Sequence, residues 1–334
     1  MKRAFRKAIA FLSAVAVAAT MAVSASAASA ATRIVKDGKY KQVIATEAGL
    51  YFTNFSEAEI ISKTSNKTVL CVTPGGKKKQ VKIKDSADVA WCSSVNTSSV
   101  FTYGYNNWIE LDYSGFTRTN CVFANGKTLN IINGMGNSVS SPTKSNVYIY
   151  TKDTDASAFK IYNDKCETVG SIPYSSLKGV DTDYAESFSL EYYDSDSKTA
   201  LFSGWNFETN QNQYWLVRNN KTVKTFSTDS ASLVKGKNGS CAVRIYDYDK
   251  EVNSRETYYS AKTGKKISNF EKAGYSYTEK KYTVEENGSK YSVKKNGKVI
   301  YTIAKKKVAS YYAYADSVAI VTKSGFKYGL IMVK

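Results

Sequence analysis

Any chemistry in this chain has to be built without histidine, which occurs nowhere in its 334 residues. Its absence removes Ser–His and Cys–His nucleophile pairs and the usual imidazole metal ligands. Acid–base work would fall to carboxylates, lysine or tyrosine. Paired carboxylates suit glycoside hydrolysis when they stand about 5–10 Å apart, a distance that spacing along a chain does not determine. The sialidase-type box Ser-x-Asp-x-Gly-x-Thr-Trp is absent. A carboxylate-dependent, glycan-active enzyme is therefore the alternative reading, and a non-enzymatic binding or scaffold protein the main one. A purely structural envelope protein is a second alternative.

Four Asp-x-Asp pairs are present: Asp153/Asp155, Asp181/Asp183, Asp194/Asp196 and Asp247/Asp249. Alternating loop carboxylates can converge on Ca2+, which takes six to eight oxygen ligands. Asp181, Asp183 and Glu186 form the densest set and are the candidate calcium ligands. None of the pairs completes a D-x-D-x-D-G loop, so solvated loop acids are the ordinary expectation, and no other cofactor is implied. Of the four tryptophans, Trp215 lies in a strand-like run and should be core. Trp108 and Trp205 sit among amides near predicted loops, in Tyr105-Asn106-Asn107-Trp108 and Gly204-Trp205-Asn206-Phe207. Rings that stack and amides that hydrogen-bond suit a polyol, which makes Trp108, Trp205, Asn106 and Asn206 a candidate glycan-binding set. Aromatics that fill a β core are the competing role.

Five cysteines are widely and irregularly spaced: Cys71, Cys92, Cys121, Cys166 and Cys241. An odd number leaves at least one thiol free. Without histidine or any C-x-x-C pair a zinc site has no basis. Cys71, Cys121 and Cys241 sit inside apolar runs and are expected in the core.

The elements that must position these residues are strands. Polar turns ending in lysine recur at Asp37-Gly38-Lys39, Gly75-Gly76-Lys77, Asn125-Gly126-Lys127, Asn163-Asp164-Lys165, Asn219-Asn220-Lys221, Thr263-Gly264-Lys265 and Asn296-Gly297-Lys298. Successive lysines are 38, 50, 38, 56, 44 and 33 residues apart, close to the ~40–50-residue period of propeller blades. Each turn is flanked by β-rich runs, such as Thr68-Val69-Leu70-Cys71-Val72 before one and Thr128-Leu129-Asn130-Ile131-Ile132 after another. Tyr, Thr, Val and Ile dominate these runs and fit a pleated, half-buried surface. Long helical patterns are missing after residue 30. The predicted fold is all-β: a single repeat domain over 31–334, a β-propeller of about seven blades (six to eight). Pairing of the N- and C-terminal strands would close it, because Tyr328–Val333 is a strand that needs another turn and Arg33–Lys39 supplies one. A pair of β-sandwiches or an open β-solenoid is the competing architecture.

The last unit runs Ser317-Val318-Ala319-Ile320-Val321-Thr322-Lys323, then Gly325-Phe326-Lys327-Tyr328-Gly329-Leu330-Ile331. It resembles the WG-repeat family of bacterial proteins, with Tyr328 where that family has tryptophan. The likeness covers about 40 residues. It implies a repeat β-fold of exported or surface proteins, and no reaction.

Lys2, Arg3, Arg6 and Lys7 followed by the uncharged run Ala8–Val23 read as a signal peptide, with A-x-A sites at Ala25–Ala27 and Ala28–Ala30. The apolar run is shorter than the ~20 residues that span a bilayer. Cleavage after residues 1–30 predicts a secreted chain, free or held to the cell wall, with no transmembrane anchor. Losing those four basic residues and no acidic ones takes the net charge from +18 to +14. Only Arg33, Arg118, Arg218, Arg244 and Arg255 of the cations left are arginine. Lysine is a solvated point charge, whereas arginine reads phosphates and bases through two hydrogen bonds. An anionic cell-wall polymer, a glycan or a protein is the expected partner, and sequence-specific nucleic-acid binding is not. Lysines that only solubilise turns and strand edges are the plainer reading.

Overall fold

In a computed structural model of the chain, the described residues are 30–55, 67–83, 91–94, 100–107, 116–132, 137–151, 157–177, 188–206, 211–246, 256–273 and 281–334. From residue 31 onward these residues are all-β, broken by short 3-10 turns at Tyr174–Ser176 and Lys305–Lys307. No helix among them is long and apolar enough to cross a membrane. The predicted signal peptide lies outside the described residues, except for Ala30.

β1 (Ala31–Tyr40) stands apart at the start. β2 (Gln42–Thr46), β3 (Gly49–Thr53), β4 (Thr68–Val72) and β5 (Lys78–Lys82) form an antiparallel meander, as do β6 (Trp91–Ser94), β7 (Val100–Asn107), β8 (Phe116–Phe123) and β9 (Thr128–Ile132). The next eight strands share one sheet. Its halves are two further meanders: β10 (Asn137–Ser141), β11 (Lys144–Thr151), β12 (Ala158–Tyr162) and β13 (Thr168–Pro173), then β14 (Ser189–Asp194), β15 (Thr199–Asn206), β16 (Gln211–Arg218) and β17 (Lys221–Ser227). They join through one parallel bridge, Ser140 to Tyr192. β18 (Ala231–Lys235), β19 (Cys241–Tyr246), β20 (Glu256–Ser260) and β21 (Lys266–Ile267) follow, then β22 (Tyr282–Asn287), β23 (Lys290–Lys295) and β24 (Lys298–Ala304). In the last sheet β25 (Val308–Ala313), β26 (Val318–Ser324) and β27 (Lys327–Val333) take β1 as their fourth strand, with Ala31 opposite Val333 and Tyr40 opposite Tyr328.

Strand periodicity explains how these sheets stack. Successive side chains on a strand point to opposite faces, and here both faces are apolar. On β26 and β27, Ala319, Val321, Leu330 and Met332 pack with Leu50, Phe52, Leu70 and Val72 of the first meander. The intervening Val318, Ile320, Ile331 and Val333 pack with Val293 and Ile303 of the meander before. β15 and β16 repeat the device: Ala200, Phe202, Trp215 and Val217 face Phe159 and Ile161, while Leu201 and Leu216 face Leu233 and Val243. Cores between sheets, rather than one central core, hold the molecule together. Each large apolar side chain buried there contributes about 1.5–3 kcal/mol. Cys71, Cys121 and Cys241 are buried as expected, and Trp215 is core.

Six of the seven lysine-ended turns are the hairpins between the third and fourth strands of six successive meanders, taking β22–β24 as second to fourth. In five of them the turn leans on the preceding sheet. Pro74 and Gly75 accept hydrogen bonds from Ser317 and Lys334 of the terminal sheet at 2.6 and 2.5 Å. Gly126 lies against the side chain of Lys79, Asn125 donates to the Lys165 carbonyl at 3.0 Å, Asn220 accepts from Ser176 at 3.0 Å, and Gly264 lies against Val223 and Lys224. Asn296 and Gly297 both have positive φ, as a two-residue type I′ hairpin requires.

The seventh turn is a correction. Asp37-Gly38-Lys39 is a bulge inside β1, four residues set against Gly329 of β27. Thr322 and Arg33 hydrogen-bond the Asp37 carboxylate, and these bonds hold it below the usual aspartate pKa against the opposing effect of burial. A Cβ on Gly329 would come within 2.9 Å of the Asp37 backbone, so the glycine of the Tyr328-Gly329 pair makes room for the bulge. A second correction concerns register at 163–167. The left-handed residue there is Cys166, φ 58°, in the place of Gly76 and Gly126, so Lys165 precedes the position held by Lys77 and Lys127.

Candidate functional site

The predicted glycan set does not assemble as a described site. Trp108 lies outside the described residues, and Asn106 and Asn206 are described only as backbone in β7 and β15. Trp205 is an exposed ring near the end of β15. The predicted calcium ligands Asp181, Asp183 and Glu186 also lie outside the described residues, and no metal-binding cluster occurs among those described. Of the Asp-x-Asp pairs, Asp194/Asp196 is described, and a lysine occupies the place a cation would take.

That lysine belongs to a polar cluster where β14 and β18 end. Lys235 Nζ donates to both Asp194 carboxylate oxygens, at 2.9 and 3.0 Å. Ser197 adds its hydroxyl at 2.6 Å and its N–H at 3.1 Å, and the Cys241 thiol donates at 3.2 Å. Burial works against the Asp194 charge, but these bonds outweigh it and keep the carboxyl below the usual value. Burial likewise opposes the Lys235 charge, and the Asp194 bond, with Cys241 and Asp196, holds the ammonium above its ordinary value. Burial, then the Asp194 charge, pushes Cys241 up to about 11. A nucleophilic cysteine needs its thiolate near neutral pH and a general-base lysine must give up its proton. In this cluster both groups stay protonated.

The cluster borders a cavity of about 160 Å3 that Ser140, Tyr192, Lys235, Arg244 and Lys272 help to line. It is rich in cations, but they are already answered. Arg244 Nη1 lies 3.3 Å and Lys272 Nζ 2.8 Å from Glu256, which also accepts from Tyr258. The Lys272 bond, then that of Tyr258, holds Glu256 below the usual glutamate value. Trp205 does not line this cavity: it sits four residues along β15 from Leu201, the partner of Tyr192, or about 13 Å at strand rise.

A second cleft, of about 480 Å3, opens between β1 of the terminal sheet and β5 of the first meander. Ile34, Val35, Tyr40 and Leu70 supply apolar surface, with Lys36, Lys39 and Lys78 around it. All three lysines are exposed. Lys78 Nζ donates to the Ile34 carbonyl at 3.4 Å, and Lys39 Nζ lies 5.5 Å from the Tyr40 ring centre. Among the described residues none of them forms an ion pair with a carboxylate. Asp37, the nearest acid in sequence to Lys36 and Lys39, is bound to Arg33 and Thr322. Sequence reading missed this cleft, because its two walls come from different sheets, β1 of the terminal sheet and β4–β5 of the first meander. The signal available was the run Lys77-Lys78-Lys79 after a glycine turn, together with Arg33, Lys36 and Lys39 on β1.

No known family profile matches the chain, and no curated protein matches it. Among solved structures, the chain is similar to the β-propeller domain of the Trilobed protease from Pyrococcus furiosus, at 11% identity over 74% of this chain and 81% of that one, TM-score 0.29. A eukaryotic initiation factor overlaps at 9% identity over 84% and 70% of the two chains, TM-score 0.34. A streptogramin B lyase overlaps at 9% identity over 91% and 97%, TM-score 0.25.

Proposed function

We propose that the chain is an exported, non-enzymatic binding protein of the bacterial envelope that holds a linear anionic polymer in the cleft between β1 and β5. The observation that carries this reading is the set Lys36, Lys39 and Lys78, three exposed cations with no carboxylate partner among the described residues, around an apolar floor. A phosphate-bearing chain meets point charges there without having to break ion pairs, and its carbon backbone meets Ile34, Val35 and Leu70. The mature net charge of +14 adds a long-range attraction of the same sign. Residues 1–30 would direct export and be removed.

The scaffold we read as a seven-bladed β-propeller over 31–334. Each meander is one blade, the eight-stranded sheet counts as two, and β1 completes the last. Turns that lean on the preceding sheet, and the terminal sheet packed against the first meander, support a closed ring.

The test is retention of the mature protein on immobilised poly(glycerol phosphate) and on a neutral glycan. Retention on the phosphate polymer at low salt, lost near 1 M where the Debye length is about 3 Å, is the expected result. Replacing Lys36, Lys39 and Lys78 together by Gln should abolish it while leaving the melting temperature nearly unchanged. Retention that ignores salt, equal retention on the neutral glycan, or a triple variant that binds as the parent does would overturn the reading.

A further inference from the structure

The β12–β13 turn carries a cysteine where its sister turns carry glycine. At 73–77, 123–127 and 163–167 the backbone closes with the same two hydrogen bonds, first residue to fifth and fourth to first. The fourth residue takes the left-handed region each time: Gly76 at φ 77°, Gly126 at 78°, Cys166 at 58°. A side chain there meets a steric cost that glycine avoids.

What the cysteine gains is a neighbour. Each of these turns leans on the sheet before it, and Cys166 leans on β8, packing against the Cys121–Phe123 pair. Cys121 is fully buried, while Cys166 is half-buried. The bond from Asn125 to the Lys165 carbonyl at 3.0 Å clamps the two segments beside the thiols. Among the described residues this is also the smallest of the apolar clusters, with two buried members.

We propose that Cys121 and Cys166 are a modification site, joined as a disulfide between neighbouring sheets when the chain meets a disulfide oxidant such as oxidised glutathione. The half-buried Cys166 attacks as thiolate, forms a mixed disulfide and displaces one thiol of the oxidant. Cys121 then attacks the Cys166 sulfur and displaces the second. The protein loses two protons, two electrons pass to the oxidant, and one S–S bond forms as one breaks. Burial raises both thiols, Cys121 to about 12, so the exchange should speed up with rising pH.

The full chain is reduced, treated with oxidised glutathione across pH 7 to 9, alkylated, weighed intact and digested. The expected product is two hydrogen atoms lighter than the reduced protein, with Cys121 and Cys166 in one linked peptide and a melting temperature several degrees higher. A stable glutathione adduct on Cys166, a bridge through Cys92, or five unmodified thiols would overturn the proposal. Cys166→Gly keeps the sister-turn residue and should fold without strain. It should show no oxidation-dependent rise in melting temperature, and a rise equal to that of the parent would place the bridge elsewhere.

Discussion

Lys235, Arg244 and Lys272 line one cleft of this molecule, and Lys36, Lys39 and Lys78 line another. The first set is spent on Asp194 and Glu256, with Lys235 only 17% exposed on its side chain. The second set meets no carboxylate among the described residues and stands in solvent. Equal numbers of cations therefore do different work. Paired and half-buried, they fasten β18 and β20 to their neighbours. Unpaired on an apolar floor, they leave their charge free for a partner. Net charge alone does not distinguish these uses, and local acid does.

The comparison breaks most visibly at Asp194. Asp194→Asn should strand the Lys235 ammonium and the Ser197 and Cys241 donors. Breaking a buried ion pair costs about 3 kcal/mol, a drop of roughly 5–10 °C for a chain of this size, read by differential scanning calorimetry. The wild-type pair should show its pH dependence on the acid side. The folded Asp194 pKa lies below the aspartate value of 3.8, so its contribution is full above that value and fades as pH falls through the folded pKa. A melting temperature unmoved by the substitution would mean that the cluster contributes nothing.

Glu256→Gln is the sharper probe, because it should turn the first cleft into something like the second. Freed of its acid, the Arg244–Lys272 pair should take up sulfate, and millimolar sulfate should raise the variant's melting temperature but not the parent's. The direct cost in stability should be small, about 1 kcal/mol, since Glu256 is a third exposed and its pairs are screened. At the second cleft the effects are smaller still. Each single change Lys36→Gln, Lys39→Gln or Lys78→Gln should weaken poly(glycerol phosphate) binding by about two- to fivefold, the range of an exposed charge contact. One position that carried the whole loss would point to a pocket for a single anion instead of a track.

Much of the architecture was legible because turn chemistry is local. Asn296-Gly297 and Asn125-Gly126 advertise positive φ in their own residues, and the third and fourth strands follow on either side. The errors arose where context decides. Asp37-Gly38 reads as a hairpin, yet β1 runs on through it along β27 and accommodates the extra residues against Gly329 as a bulge. Asn163-Asp164-Lys165 places its lysine two residues early: Glu167 holds the place of Lys77 and Lys127, and cysteine instead of glycine holds the left-handed position before it. The clefts were not legible at all. Lys235 finds Asp194 across 41 residues and Lys78 reaches Ile34 across 44, and no local pattern records those meetings.

β1 waits longest for its partner. Ala31 pairs with Val333, about 300 residues later, which at ribosomal speeds is about 15 to 60 s of synthesis. Throughout that interval a ten-residue strand is available to any other chain that offers an edge. Its Arg33, Lys36, Asp37 and Lys39 make such encounters unfavourable, and the bulge at Gly38 spoils a flat match. The lysines assigned here to a ligand are thus also a guard on the nascent chain. Neutralising them should be felt in the yield of protein folded from dilute denaturant before it is felt in the stability of what has folded.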